Sequence, residues 1–137
     1  MRIISTLLAG ALLASSAAQA APRANIAEQG EAKLAKALEG RVAGKPTNCI
    51  SLRDIQSTEI IDGTAILYRT SGNRLYVNRP DSGQSSLDSD DVMVTKTYST
   101  QLCRIDTVQL VDRFSRIYSG FVGLGDFVPY TKAAATH

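Results

Sequence analysis

The 137-residue sequence holds a single histidine, His137, and it ends the tail Ala-Ala-Ala-Thr-His. A Ser-His-Asp or Cys-His catalytic set needs an imidazole held inside the fold to take the nucleophile's proton, so those hydrolase classes are excluded. No Ser-x-x-Lys or Gly-x-Ser-x-Gly motif replaces them. Cysteine is equally scarce: Cys49 and Cys103 are the only two. They form no C-x-x-C redox pair, and without histidine partners they fall short of the four ligands of structural zinc. No metal and no cofactor is implied. Charge of one sign is also lacking, since 15 Lys plus Arg face 13 Asp plus Glu. That balance provides no basic field for nucleic acid. Finally, no apolar run reaches the roughly 20 residues that a bilayer crossing requires.

What is present begins with an export signal. Arg2 supplies the positive start, Ile3 to Ala14 a short apolar stretch, and Ala18-Gln19-Ala20 a small-residue cleavage site. Residues 1–20 are therefore expected to be removed, leaving a mature chain from Ala21. Leu8-Ala9-Gly10 is followed by Ala11 and not by the cysteine that carries a lipid anchor. The expected location is periplasmic or secreted. In an oxidising compartment two cysteines persist as a disulfide. A Cys49–Cys103 link would close a separation of 54 residues. In the chain-entropy description a loop of that size contributes roughly 4 kcal/mol. That is a substantial share of the roughly 5–15 kcal/mol by which a small domain is stable.

Asn25 followed by Glu28 has the spacing of a capping box, and the Ala-, Leu-, Lys- and Glu-rich stretch to Leu38 predicts a helix stopped by Gly40. Gly30 weakens that helix and its apolar stripe is thin, so it is expected to lie across a sheet or to be partly ordered. From Asn48 onward short β-type runs alternate with turns. Asp62-Gly63 and Ser71-Gly72-Asn73 mark hairpins around Thr-Ala-Ile-Leu-Tyr-Arg-Thr, in which Ala65 and Leu67 face one side and Ile66 and Tyr68 the other. Both sides are apolar, as in a sheet covered twice. Pro80 to Asp91 reads as a polar surface loop. The expected fold is mainly β (α+β): an antiparallel meander of about six strands, forming a curled sheet or small barrel, with one N-terminal helix. Its organisation is residues 1–20 signal peptide, 21–47 helix and linker, 48–130 β domain, and 131–137 flexible tail.

Candidate chemistry centres on carboxylates. In strict alternation Asp106 shares a strand face with Leu102, Arg104, Val108 and Leu110. A carboxylate near the core needs hydrogen bonds or a cation, and Arg104 is the candidate partner. One reading is a general acid or base; the other is a carboxylate that pins a turn or pairs with arginine. Asp54 carries the same ambiguity. Asp88, Asp90 and Asp91 are dense, but the positions where a calcium loop needs Gly and Glu hold Met93 and Ser99. Gly120, Gly123 and Gly125 read as a bent strand and not a phosphate loop. Most aromatic residues are expected in the core.

The order Cys49-Ile50-Ser51-Leu52, Ile61-Asp62, Leu75-Tyr76-Val77-Asn78, and Leu102-Cys103 with Asp106-Thr107-Val108 resembles a family of small exported proteins of proteobacteria that has no assigned function. The likeness spans about Val42 to Tyr130. It implies a cell-envelope protein and transfers no catalytic residue. The sequence thus points to a non-enzymatic, disulfide-stapled binding or structural module whose partner is an envelope protein or cell-wall component. The rival readings are a small hydrolase or lyase using Asp106, and an inhibitor of a cell-wall-degrading enzyme.

Overall fold

A computed structural model describes residues 22–134. The expected signal peptide and residues 135–137 of the expected tail lie outside the described residues. One helix, α1 (Pro22–Ala37), precedes ten strands: β1 (Arg41–Ala43), β2 (Cys49–Ser51), β3 (Ile55–Ile61), β4 (Ala65–Thr70), β5 (Arg74–Asn78), β6 (Asp91–Thr95), β7 (Gln101–Cys103), β8 (Thr107–Asp112), β9 (Tyr118–Gly123) and β10 (Phe127–Lys132). Every strand pair is antiparallel. The five-stranded sheet has the order β1-β10-β5-β4-β3, the three-stranded sheet β6-β8-β9, and β2 pairs with β7 alone.

The mainly-β class with a single helix near the N-terminus is therefore observed, and no barrel closes among the described residues. The strands are shorter and more numerous than the sequence suggests because long β-type runs are interrupted. Cys49 to Ile55 breaks at a 3-10 turn, Leu52–Asp54; Leu102 to Val111 breaks at Arg104–Asp106; Gly120 to Tyr130 breaks at Leu124–Asp126. The expected linker contains β1, and the expected tail begins inside β10, whose Thr131 and Lys132 pair with Val42 and Arg41. Helix α1 starts at Pro22, so Asn25 and Glu28 lie within it and form no capping box. Proline suits that first position because its missing N–H would have no helical partner there. Gly40, at φ +71°, ends the helical turn as expected.

The alternation in β4 builds three layers. Ile66 and Tyr68 enter the main core, which joins Ile50 and Leu102 of the small sheet, Val108, Leu110 and Val122 of the three-stranded sheet, and Phe127. Tyr68 meets Phe127 edge to face at 5.6 Å. Ala65 and Leu67 point the opposite way, with Ile61 and Val77, onto Leu34 of α1. Arg79 clamps the helix further, donating to both carboxylate oxygens of Glu31 at 2.6 and 2.9 Å. That hydrogen-bonded pairing holds Glu31 below the usual carboxylate range and raises Arg79.

Gly30 is buried where the helix crosses the β3–β4 hairpin. A Cβ there would overlap the Thr64 hydroxyl and sit 2.8 Å from the Asp62 carbonyl oxygen. Intrinsic propensity favours Ala over Gly in a helix by about 1 kcal/mol. The contact decides the opposite sign: Gly30→Ala is expected to lower stability by about 1–3 kcal/mol, the usual cost of overpacking. Urea unfolding of the oxidised protein checks this, and a raised midpoint would contradict the crossing geometry.

Candidate functional site

Cys49 and Cys103 are directly opposed in the β2–β7 pair and joined as a disulfide, with Cα atoms 4.0 Å apart. The Arg104 N–H donates to the Asn48 carbonyl at 2.8 Å beside them. Immediately after Cys103 the chain turns, because the Asp106 N–H returns to the Cys103 carbonyl at 2.9 Å. The Asp106 carboxylate closes the same turn by accepting the Cys103 N–H at 2.7 Å. Its backbone carbonyl also accepts from Leu124 N–H at 3.2 Å. Asp106 is thus the turn-pinning carboxylate of the two readings, half-buried and committed to backbone donors.

Arg104 is not its partner. Strict alternation fails at a tight turn, and the guanidinium points away to Asp126 at 2.9 Å and Asp81 at 3.1 Å. It ties the turn to the β5–β6 loop and to the β9–β10 loop. Asp54 lies exposed at the end of the 3-10 turn. Asp62 instead receives the Ser89 N–H at 2.6 Å and anchors the 80–91 loop on the hairpin tip. Gly63 adds to this docking by donating to Leu87 C=O at 3.0 Å and accepting from the Gln84 amide at 3.1 Å. The dense acidic stretch is dispersed: Asp88 accepts Asp90 N–H, while buried Asp91 accepts the Ser119 hydroxyl at 2.7 Å. Among the described residues no group of three metal-ligating side chains converges.

A second hub went unrecognised in the sequence. Asn78 is fully buried at the end of β5, and its side-chain amide donates to Gly125 C=O at 2.7 Å and accepts Gly125 N–H at 3.1 Å. This pairing holds the β9–β10 connection against the core. Asn78 does occur in the Leu-Tyr-Val-Asn segment that carries the family resemblance, which was its only signal.

The largest departure from expectation concerns the aromatics. Tyr68 and Phe127 are buried, but Tyr98, Phe114, Tyr118 and Phe121 are exposed. Tyr118 and Phe121 lie on the outer face of the three-stranded sheet with Val92 and Val94, and the register lines them up. Val92, Val111 and Tyr118 form one cross-strand row; Val94, Gln109 and Phe121 form the next. Their relative exposures, 45% for Val92, 40% for Val94, 54% for Tyr118 and 55% for Phe121, show a face with no covering layer among the described residues. The opposite face of the same strands supplies Val108, Leu110 and Val122 to the core.

The face continues to the β8–β9 loop, which carries Phe114, 80% exposed, and Ile117, 66% exposed, beside Arg113 and Arg116. Asp112 shapes this loop: one carboxylate oxygen accepts Phe114 N–H at 3.0 Å, Ser115 N–H at 2.6 Å and the Ser115 hydroxyl at 2.7 Å. Those bonds favour the ionised form and lower its pKa. A separate shallow cleft of about 370 Å³ touches the disulfide and is lined by Lys45, Arg74, Tyr76 and Thr131 around Cys49.

Two measurements test this assignment. Asp106→Ala leaves a turn donor unpaired and is expected to cost about 1–3 kcal/mol. Arg104→Ala removes only partly exposed ion pairs, worth below about 1 kcal/mol, and exposed Asp54→Ala should stay within about 0.5 kcal/mol of neutral. Denaturant midpoints that ranked Asp54 above Asp106 would overturn the turn-pinning role. For the β8–β9 loop, a depressed carboxylate pKa means order that is present above that pKa and lost as pH falls through it. The Ser115 amide resonance should therefore titrate with a midpoint below that of an exposed aspartate, and an ordinary midpoint would contradict the loop geometry.

No protein-family model, no curated protein and no solved structure matches this chain.

Proposed function

We propose that this chain is a non-enzymatic binding module of the bacterial cell envelope, of the small exported proteobacterial type that its sequence resembles. It holds a partner protein or wall component on the outer face of the three-stranded sheet. The observation that carries this reading is the alignment of Val92, Tyr118, Val94 and Phe121 in two cross-strand rows on an exposed face. Such a patch contributes little to folding while it stays wet, and contiguous apolar surface on a small domain marks an interaction site. Aromatic side chains are the usual anchors of such interfaces, because they bury large area at low entropic cost.

The rigid scaffold supports the same role. The disulfide and the Asp106 turn fix the entry to β8, the central strand of the displayed sheet. The competing hydrolase reading required Asp106, Arg104 and a tyrosine around one open pocket. Asp106 closes a turn and Arg104 spans two loops, so the residues named for that chemistry are occupied in structure. The inhibitor reading keeps one specific support, exposed Phe114 between Arg113 and Arg116 on a loop braced by Asp112. Such a loop suits insertion into an acidic, apolar-lined cleft.

Photo-crosslinking amino acids at Val94 and Phe121, with a matched probe at Asp54, test the proposal in cells. The same adduct from both sheet positions and none from Asp54 is the expected outcome. Absence of any adduct above background at both sheet positions would sink it. Lysozyme inhibition lost on Phe114→Ala, but retained on Phe121→Ser, would assign the function to the loop and not to the face.

A further inference from the structure

The two larger sheets have four edge strands, and three of them are blocked. β1 is only three residues long. β3 carries a register shift at Gln56, and its Glu59 is held by Lys33 and Arg69, each at 3.3 Å. β9 is covered by residues 81–86: Ser82 bridges Gly123, and Gly83 lies against the Phe121 backbone. β6 has none of these protections among the described residues. It contains no proline, and Asp91, its one charged residue, is turned inward to Ser119. Natural sheets seldom leave a flat, valine-rich edge without a device that prevents strand addition.

The ladder shows which groups this edge offers. Asp112 N–H donates across the β8–β9 hairpin to Ile117 C=O at 2.9 Å, so it is directed away from β6. Alternation along an antiparallel ladder then assigns Val92 and Val94 to the bonds with β8, and leaves the N–H and C=O of Met93 and Thr95 directed outward. Met93, with Asp91 and Val92, borders an open cleft of about 430 Å³ between β6 and β3.

We propose that this edge pairs with the same edge of a second copy of the chain, antiparallel about a two-fold axis through Met93. The residues around Met93 are self-complementary in that register. Val92 falls opposite Val94 of the other copy, Asp91 opposite Thr95, and Asp90 opposite Lys96. Asp90 and Lys96 are both exposed and flank β6 at its two ends, so in this register each end of the ladder would bring an aspartate of one copy to a lysine of the other. Opposite charges directly across a ladder attract, and symmetry makes the pair twice. The pairing would join two three-stranded sheets into one continuous sheet of twice the width. The Tyr118–Val111–Val92 row of one copy would run on into the Val94–Gln109–Phe121 row of the other. The inference concerns the edge and does not depend on what the outer face binds.

Sedimentation of the oxidised mature chain at sub-millimolar concentration should show a reversible monomer–dimer equilibrium that weakens with added salt. Lys96→Glu should weaken dimerisation about tenfold, and Asp90→Lys with Lys96→Glu should largely restore it. Thr95→Pro removes an outward N–H that β8 does not use, so it should give a folded monomer by circular dichroism. In a mixed-label dimer, nuclear Overhauser contacts between Val92 and Val94 methyls of different copies would establish the register. A chain that stays monomeric throughout that range would overturn the proposal. So would a dimer indifferent to Lys96→Glu but dissolved by Phe121→Asp, which would indicate packing of the outer faces, and so would a monomer whose edge binds an unrelated extended peptide.

Discussion

The Cys49–Cys103 bond matters more for where it lies than for the loop it closes. β2 and β7 are each three residues long, too short to pair stably alone. Yet β2 leads within one 3-10 turn into β3, an edge of the five-stranded sheet, and β7 leads through the Asp106 turn into β8, the centre of the three-stranded sheet. The covalent link therefore joins, at one point, the lead into β3 of one sheet to the lead into β8 of the other. Ile50 and Leu102, each adjacent to a cysteine, fill the space between the sheets. Asp106 and Arg104 extend the same junction to the loops around β9 and β10.

From this junction follows an asymmetry between the sheets. The five-stranded sheet is covered twice, by α1 on one side and by the other strands on the opposite side, so β4 is apolar on both faces. Among the described residues the three-stranded sheet is covered once. Its inner side chains are needed for the core, whereas Val92, Val94, Tyr118 and Phe121 contribute nothing comparable to stability while they face water. Among the described residues, folding energetics account for the first set and not for the second.

Much of this was legible in the chain. The doubled alternation of Ala65 to Tyr68 announced a twice-covered strand, and the two cysteines announced their bond. The hairpin signal at Asp62-Gly63 located the right turn, although the loop observed is Asp62 to Thr64, closed by Thr64 N–H on Ile61 C=O at 3.0 Å. Breaks inside β-type runs were harder to see, because a turn such as Cys103 to Asp106 is set by one side-chain hydrogen bond and not by composition. That hidden break is why Arg104 was placed beside Asp106. The outer aromatic face was invisible for a related reason. Val-Met-Val-Thr and Tyr-Ser-Gly-Phe-Val show β propensity, but which parity faces water is decided by partners distant in sequence. Gly30 looked like a flaw in a helix, and its reason exists only where the Thr64 hairpin crosses it.

The five-stranded sheet imposes an order of events on its own making. β1 has one strand neighbour, β10, and the register sets Arg41 beside Lys132. A ribosome delivers the early strand first, so β1 waits, with its backbone hydrated, while almost the entire domain is synthesised. Pairings between such remote segments are the slow ones in folding. Truncation near the C-terminus would therefore expose the N-terminal edge as well, and a nascent chain shows its finished edge only when its last strand has emerged.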